Sequence, residues 1–406
     1  MSGALSSIRV LELSRVLAGP WAGQILADLG AEVIKVERPG VGDDTRHWGP
    51  PFLKDAQGKE TSEAAYFLSA NRNKRSITVD LRRPEGQRLI RDLACRSDVL
   101  LENFKVGGLA AYGLDYASLR SINPRLVYCS ITGFGQTGPY AERPGYDFMI
   151  QAMGGLMSLT GRADGEVGAG PLKVGVAVTD VLTGLYAAVA VLAALYHCKQ
   201  SGIGQYIDLA LMDVQVACLA NQTLNYLTTG QPPRRLGNAH PNIVPYQDFP
   251  TADGSFILTV GNDEQFHSFC EVAGHPEWSL DERFASNQAR VAHRDKLIPL
   301  IRQTTVFRTT ADWLAALETV GVPCGPINDL AQVFADPQIV ARRLQMELPH
   351  PLAGMVPQVA SPIRLSGTPV SYRQAPPLLG EHTEQVLTEV LGLGDEIAAL
   401  RQSGVI

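Results

Sequence analysis

The sequence lacks a basic block, a cysteine cluster and an uninterrupted apolar run of membrane length, and each absence removes a class of function. The 41 acidic residues outnumber the 35 lysines and arginines and are spread along all 406 positions, giving a net charge of −6. No stretch could neutralise a row of phosphates, so nucleic acid is not an expected partner. The six cysteines (Cys95, Cys129, Cys198, Cys218, Cys270 and Cys324) include no C-x-x-C pair. This pattern fits reduced thiols in the cytoplasm and gives no support to a metal site. Residues 1–10 show no basic segment followed by an apolar one, so no signal peptide is expected. The most apolar stretch, Val181–Tyr196, falls short of the roughly 20 residues a span requires. It reads as a buried helix, with no membrane as partner.

What is present is globular. Apolar residues make up 45% and charged residues 19% of the chain, enough to fill a large core, and the length suggests more than one domain. Short β-branched runs at Ile8–Leu13, Ala31–Val36, Ser76–Leu81, Asp98–Glu102 and Leu126–Ile131 alternate with helical patterns at Pro20–Leu29 and Pro84–Arg96. This alternation predicts an α/β fold with Rossmann-like units. The Gly-, Pro- and Asn-rich segment Thr228–Pro245 marks a boundary. Beyond it, a strand at Gly254–Val260 and helices at Asp295–Arg302 and Ala311–Val320 predict a second, smaller α/β unit ending near residue 344. Helical periodicity returns over Glu381–Leu400.

Four groups of residues carry possible chemistry. Gly133, Gly135 and Gly138 satisfy G-x-G-x-x-G after a strand, but Pro139 and Arg143-Pro144-Gly145 follow where a dinucleotide site needs a helix. A structural turn is expected, and no NAD. Asp180 precedes the apolar stretch, where an aspartate serves as an ordinary N-cap. The same position near a helix dipole would keep a carboxylate ionised for nucleophilic attack. Arg72, Lys74 and Arg75 suit either a solvated loop or a phosphate-bearing ligand. Arg234 to His240 reads as a basic linker or a carboxylate-binding loop, and His240 has no partner at metal-ligand spacing.

Taken together, Leu17-Ala18-Gly19-Pro20, Gly30 to Arg38, Asn73-Lys74-Arg75-Ser76, Glu102-Asn103-Phe104 and Gly175 to Asp180 ahead of Gly184 resemble the class III CoA-transferase family. That family also includes α-methylacyl-CoA racemase. The resemblance implies an interlocked homodimer. It implies a Rossmann-like large domain formed by both termini (1–225 and 345–406), a linker (226–240) and a small domain (241–344). It places coenzyme A near Val16, Ala18, Arg38, Asn73, Lys74, Arg75, Asn103, Phe104 and Tyr146, and the acyl-bearing carboxylate at Asp180. Ala111 stands where some relatives have a CoA-binding arginine, and residues 237–245 lack the glycine run of the formate-using members. Asn225-Tyr226-Leu227, Arg235, Gly237, Ala239-His240 and Ile243 to Gln247 instead resemble the succinate- and glutarate-using branch.

By that resemblance, an acyl-CoA donor and a carboxylic acid acceptor exchange CoA through an anhydride and a thioester on Asp180. Arg235, assisted by His240, would pair with the distal carboxylate of a dicarboxylate. Gly154-Gly155 could admit backbone N–H donors to a developing oxyanion, or simply allow close packing. Racemase chemistry would need a base where Tyr146 stands, and a phenol is a poor base near pH 7. A non-catalytic acyl-CoA-binding protein is the reading from another class. Exchange between two acids would exclude it.

Overall fold

The computed structural model describes residues 3–406. Six parallel strands form the main sheet: β1 (Arg9–Glu12), β2 (Glu32–Glu37), β3 (Lys74–Thr78), β4 (Val99–Glu102), β5 (Val127–Thr132) and β6 (Tyr206–Ala210). Their order is β3-β2-β1-β4-β5-β6, the doubly wound Rossmann arrangement, in which ligands bind beyond the carboxyl ends of the strands where the order reverses. Here that point lies between β1 and β4.

Both faces of this sheet are buried, and the side-chain period of two divides each strand between them. Leu11, Ile34, Leu100 and Tyr128 enter one core with Leu89, Ile90 and Leu93 of α2 (Pro84–Cys95). Val10, Val33, Leu101 and Val127 enter the other. That second core is closed by α1 (Ala18–Asp28) and by α4 (Val178–Ser201). Between these helices in sequence lies the shorter α3 (Asp147–Met153), and α5 (Leu211–Ala217) follows β6. Each fully buried Leu or Val contributes about 1.5–3 kcal/mol relative to exposure.

The C-terminal segment completes the first core with Val386, Leu387, Val390, Ile397 and Leu400. It also covers the edge strand β3, where the Thr78 amide donates to Thr383 Oγ1 at 3.0 Å and the His382 amide to Ser76 O at 2.9 Å. The periodicity of Glu381–Leu400 does not produce one helix. Short helical pieces at Thr383–Val386 and Ile397–Gln402 are separated by a π turn and by Gly392, whose φ of 76° ends the turn.

By packing, the chain divides into a larger unit (Met1–Leu156, Val174–Thr229 and Gln338–Ile406) and a smaller one (Met157–Lys173 and Gly230–Pro337). The excursion of residues 157–173 into the smaller unit was not expected from the sequence. The smaller unit has an antiparallel sheet of β7 (Tyr246–Pro250), β8 (Ser255–Thr259) and β9 (Cys324–Pro326) in the order β9-β8-β7. Helices α6 (Asp263–Ala273), α7 (Asn287–Ala292), α8 (Arg294–Thr305) and α9 (Thr310–Thr319) accompany it. Its core is aromatic, with Phe256 stacked on Trp313 at 5.9 Å.

The apolar stretch Val181–Tyr196 is part of a longer helix than expected, and not an entirely buried one. With 24 residues, α4 is long and apolar enough, by length and composition, to cross a membrane. One face packs closely on α1. A Cβ at Gly184 would lie 2.7 Å from Ala18 O, so only glycine permits this approach. The opposite face leaves Leu185, Tyr186, Val189 and Tyr196 exposed.

Candidate active site

Asp180 is the third residue of α4, not its N-cap. That position belongs to Ala177, which supplies no side-chain cap. The first turn is capped instead from α3: Asp147 Oδ1 accepts from the Thr179 amide at 2.8 Å and, more weakly, from the Asp180 amide at 3.4 Å. Asp147 Oδ2 accepts from Gln151 Nε2 at 2.7 Å, and Gln151 Oε1 accepts from the Val174 amide at 2.9 Å. Asp147, the neighbour of Tyr146, is therefore the residue that fixes the turn carrying Asp180, a role that sequence reading missed.

The helix start does not hold Asp180 in the ordinary carboxylate range. Burial, reinforced by the charge of Asp147, raises its pKa to about 7. Only 8% of the residue is exposed. The same two carboxylates, after burial, help to push the Tyr66 phenol up to about 12, and Trp48 packs edge-on against that ring at 5.2 Å.

Asp180 lines a cavity of about 150 Å³ together with Val16, Ala18, Asn103, Phe104 and Tyr146. A second cavity of about 320 Å³ contains Arg38, Asp43, Asp44 and Arg82, and shares Arg15 and Phe104 with the first. The shared wall is tightly held. The Arg15 amide donates to Asn103 Oδ1 at 3.0 Å, and Asn103 Nδ2 donates back to Arg15 O at 2.7 Å. The Phe104 amide donates to Glu102 at 2.7 Å, and burial lifts the Glu102 carboxyl to about 7. The guanidinium of Arg15 meets Asp44 at 2.8 Å, with both side chains exposed.

The structure thus brings Val16, Ala18, Asn103, Phe104, Tyr146 and Asp180 onto one cavity and Arg38 onto its neighbour. Arg72, Lys74 and Arg75, at the entry to β3, line neither of these two cavities, and their charges are paired within the protein. Lys74 is fully buried, with Nζ 2.9 Å from Glu12 and 2.8 Å from both Asn71 Oδ1 and Pro20 O. Burial, against the pull of Glu12, brings its pKa down to about 8. Arg72 pairs with Asp28 at 2.6 Å, Arg75 pairs with Glu32 and Glu389 at 2.8 Å each, and Asn73 Nδ2 bonds to Asp28 at 2.8 Å.

Gly154 and Gly155 line neither cavity. The Gly154 amide is taken by Ile150 O at 2.7 Å, a Cβ there would press on Gln215, and Gly155 has φ of 89°. Of the two readings, close packing and turn formation fits this geometry. Arg235 and His240 belong to the smaller unit. Arg235 already has a carboxylate partner, Asp164, and Nη1 reaches Ser158 O at 3.5 Å. His240 stacks obliquely on Tyr246 at 5.2 Å, and burial, with the Arg294 charge, lowers its pKa. In the glycine motif, Gly135 and Gly138 turn at φ of 87° and 91°, and Gly133 abuts Gly145. Among the described residues, no group of three His, Cys, Asp or Glu side chains could hold a metal ion.

CoA-transferase family III matches the chain over residues 5–383. The chain is 56% identical over 386 residues to a succinate–glutarate CoA-transferase of Agrobacterium fabrum, with 95% of each chain covered. It is 44% identical to the succinyl-CoA:glutarate CoA-transferase of Homo sapiens, covering 99% of this chain and 90% of that one. Among solved structures, a CAIB/BAIF family protein from Brucella suis superposes with a TM-score of 0.83 at 51% identity, over 96% of this chain and all of that one. The chain belongs to CoA-transferase family III and is a CoA-transferase.

Proposed function

We propose that the enzyme moves CoA from succinyl-CoA to a dicarboxylate of the glutarate class through covalent adducts on Asp180. The observation that carries this reading is the buried Asp180 carboxyl on the wall of a cavity adjoining a second, arginine-bearing one. The names of the relatives supply the acids.

In this scheme, the Asp180 carboxylate attacks the donor thioester, expelling CoA thiolate and forming a mixed anhydride. The thiolate attacks the aspartyl carbonyl, releasing succinate and leaving an aspartyl-CoA thioester. The acceptor carboxylate then displaces the thiolate to give a second anhydride. Attack of the thiolate on its acyl carbonyl releases the new acyl-CoA and restores Asp180. No net proton is consumed, and the burial of Asp180 keeps water from the adducts. Arg235 and His240 are the residues proposed to recognise the distal carboxylate, which would replace Asp164 on Arg235.

Mixing the protein with succinyl-CoA and a panel of mono- and dicarboxylic acids tests this by mass. Glutaryl-CoA and succinate should form in equal amounts. Free CoA accumulating without a new acyl-CoA would refute it.

We also propose an interlocked homodimer, because the exposed face of α4 is apolar over Leu185, Tyr186, Val189 and Tyr196. Val189→Glu should then yield monomers in sedimentation while the wild type sediments as a dimer. A monomeric wild type would rule the dimer out.

A further inference from the structure

Val16 is β-branched yet has φ of 72°, a left-handed conformation that such residues rarely adopt and that persists only when the surroundings enforce it. The enforcing contacts are visible. The Ser14 carbonyl accepts from Lys35 Nζ at 2.9 Å. The Arg15 amide and carbonyl are both held by Asn103. The Val16 amide donates to Asp43, at 3.1 Å to Oδ1 and 3.3 Å to Oδ2.

Asp43 is itself fixed. Its Oδ2 pairs with Lys35 at 2.9 Å, both side chains being about 1% exposed. Its Oδ1 accepts from the Thr45 amide at 3.0 Å and from Thr45 Oγ1 at 2.8 Å, and its own amide donates to Glu37. Lys35 thus holds the loop at two points, the Ser14 carbonyl directly and the Val16 amide through Asp43. Val16 lines the cavity that contains Asp180, and Asp43 lines the neighbouring one.

We infer that Asp43 is a positioning residue, which holds Val16 in its left-handed conformation and so shapes the wall along which the acyl-CoA lies. This inference rests on the proposed placement of acyl-CoA in the two cavities. A residue needed only to neutralise Lys35 would support the fold but would not couple to the backbone preference at position 16. Glycine adopts positive φ without strain, so Val16→Gly should make Asp43 largely dispensable for binding.

The test is a double-mutant cycle read by succinyl-CoA KM, glutarate KM, CoA affinity by calorimetry and thermal melting. Asp43→Ala should raise the KM for succinyl-CoA about tenfold and move the glutarate KM less than about twofold. Adding Val16→Gly should bring the succinyl-CoA KM back to within about threefold of wild type. If Asp43→Ala does not fold, Asp43→Asn enters the same cycle. Strictly additive losses in a folded double variant would overturn the inference. Arg38→Ala separates the two possible failures. Unchanged CoA affinity in that variant removes the placement of CoA and the inference with it, whereas weakened affinity there without coupling between positions 43 and 16 removes the inference alone.

Discussion

Asp180→Ala is expected to abolish CoA exchange, with turnover falling by about four orders of magnitude or more, while folding and CoA affinity survive. The substitution removes the proposed covalent acceptor. It leaves Arg15, Arg38, Asn103 and Phe104 in place on the cavity walls. Hydroxylamine added during wild-type turnover should mark the peptide containing Asp180. Exchange near the wild-type rate, or an adduct on a cysteine, would eliminate the scheme.

The pH behaviour follows from the same carboxyl. Its pKa is raised from 3.8 to about 7, and attack requires the ionised form, so kcat/KM for the donor should rise with pH through about 7 and then level off. The sign for stability is opposite. Between 3.8 and about 7 the folded protein holds a proton that the unfolded chain has lost, so raising the pH through this window removes stability. Asp180→Asn cannot ionise. It should be more stable than wild type at pH 8, by on the order of 2 to 4 kcal/mol, and so melt at a higher temperature there, and converge with it near pH 4. Melting curves at the two pH values decide this, and an equal offset at both would assign the effect to packing.

Most of the parallel sheet is legible in the sequence because its strands are buried on both faces and read as unbroken β-branched runs. The strand missed, β6, lies at the sheet edge. Its Asp208 faces outward and accepts from the Gln136 amide, which interrupts the apolar signal. The site is less legible because its decisive contacts join distant residues. Asp180 looks like a cap in sequence, yet the capping group is the Asp147 side chain. Its raised pKa comes from burial, which spacing cannot reveal. Lys74 and Arg75 look solvent-facing beside Asn71 and Asn73. Their charges are paired because β2 pairs with β3 in a register that sets Val33 opposite Lys74, which brings Glu32 of β2 to Arg75 and leaves Lys74 buried against Glu12 of β1. The resemblance singled out Asp180 and the basic group alike, but a motif records position and not the partner a side chain finds, so the ion pairs of Arg72, Lys74 and Arg75 could not be read from it.

Arg290→Ala is expected to unfold the smaller unit, because this residue is fully buried on α7 and serves as its polar centre. Nε donates to Val244 O at 2.6 Å, Nη1 to Phe284 O at 2.9 Å and Nη2 to Asp263 Oδ1 at 2.8 Å. Its guanidinium lies 4.4 Å from the centre of the Phe266 ring. One side chain therefore joins the segment leading into β7, the loop preceding α7 and the first residue of α6. Truncation leaves two carbonyls without a donor in an apolar core, removes the charge facing Asp263 and opens a cavity against Phe266. Each carbonyl left without a donor costs about 1 to 3 kcal/mol and the cavity adds to this, whereas Asp263, its side chain 56% exposed, is taken up by water; the sum is a large part of a domain's stability. Arg290→Lys should restore little, since an ammonium cannot direct three donors along these fixed lines. The expected result is a lower melting temperature and early proteolytic cleavage between residues 230 and 337. Activity at low temperature should scale with the folded fraction, with KM unchanged. A loss below about 1 kcal/mol, or a KM effect in fully folded protein, would show that Arg290 is not the structural centre of this unit.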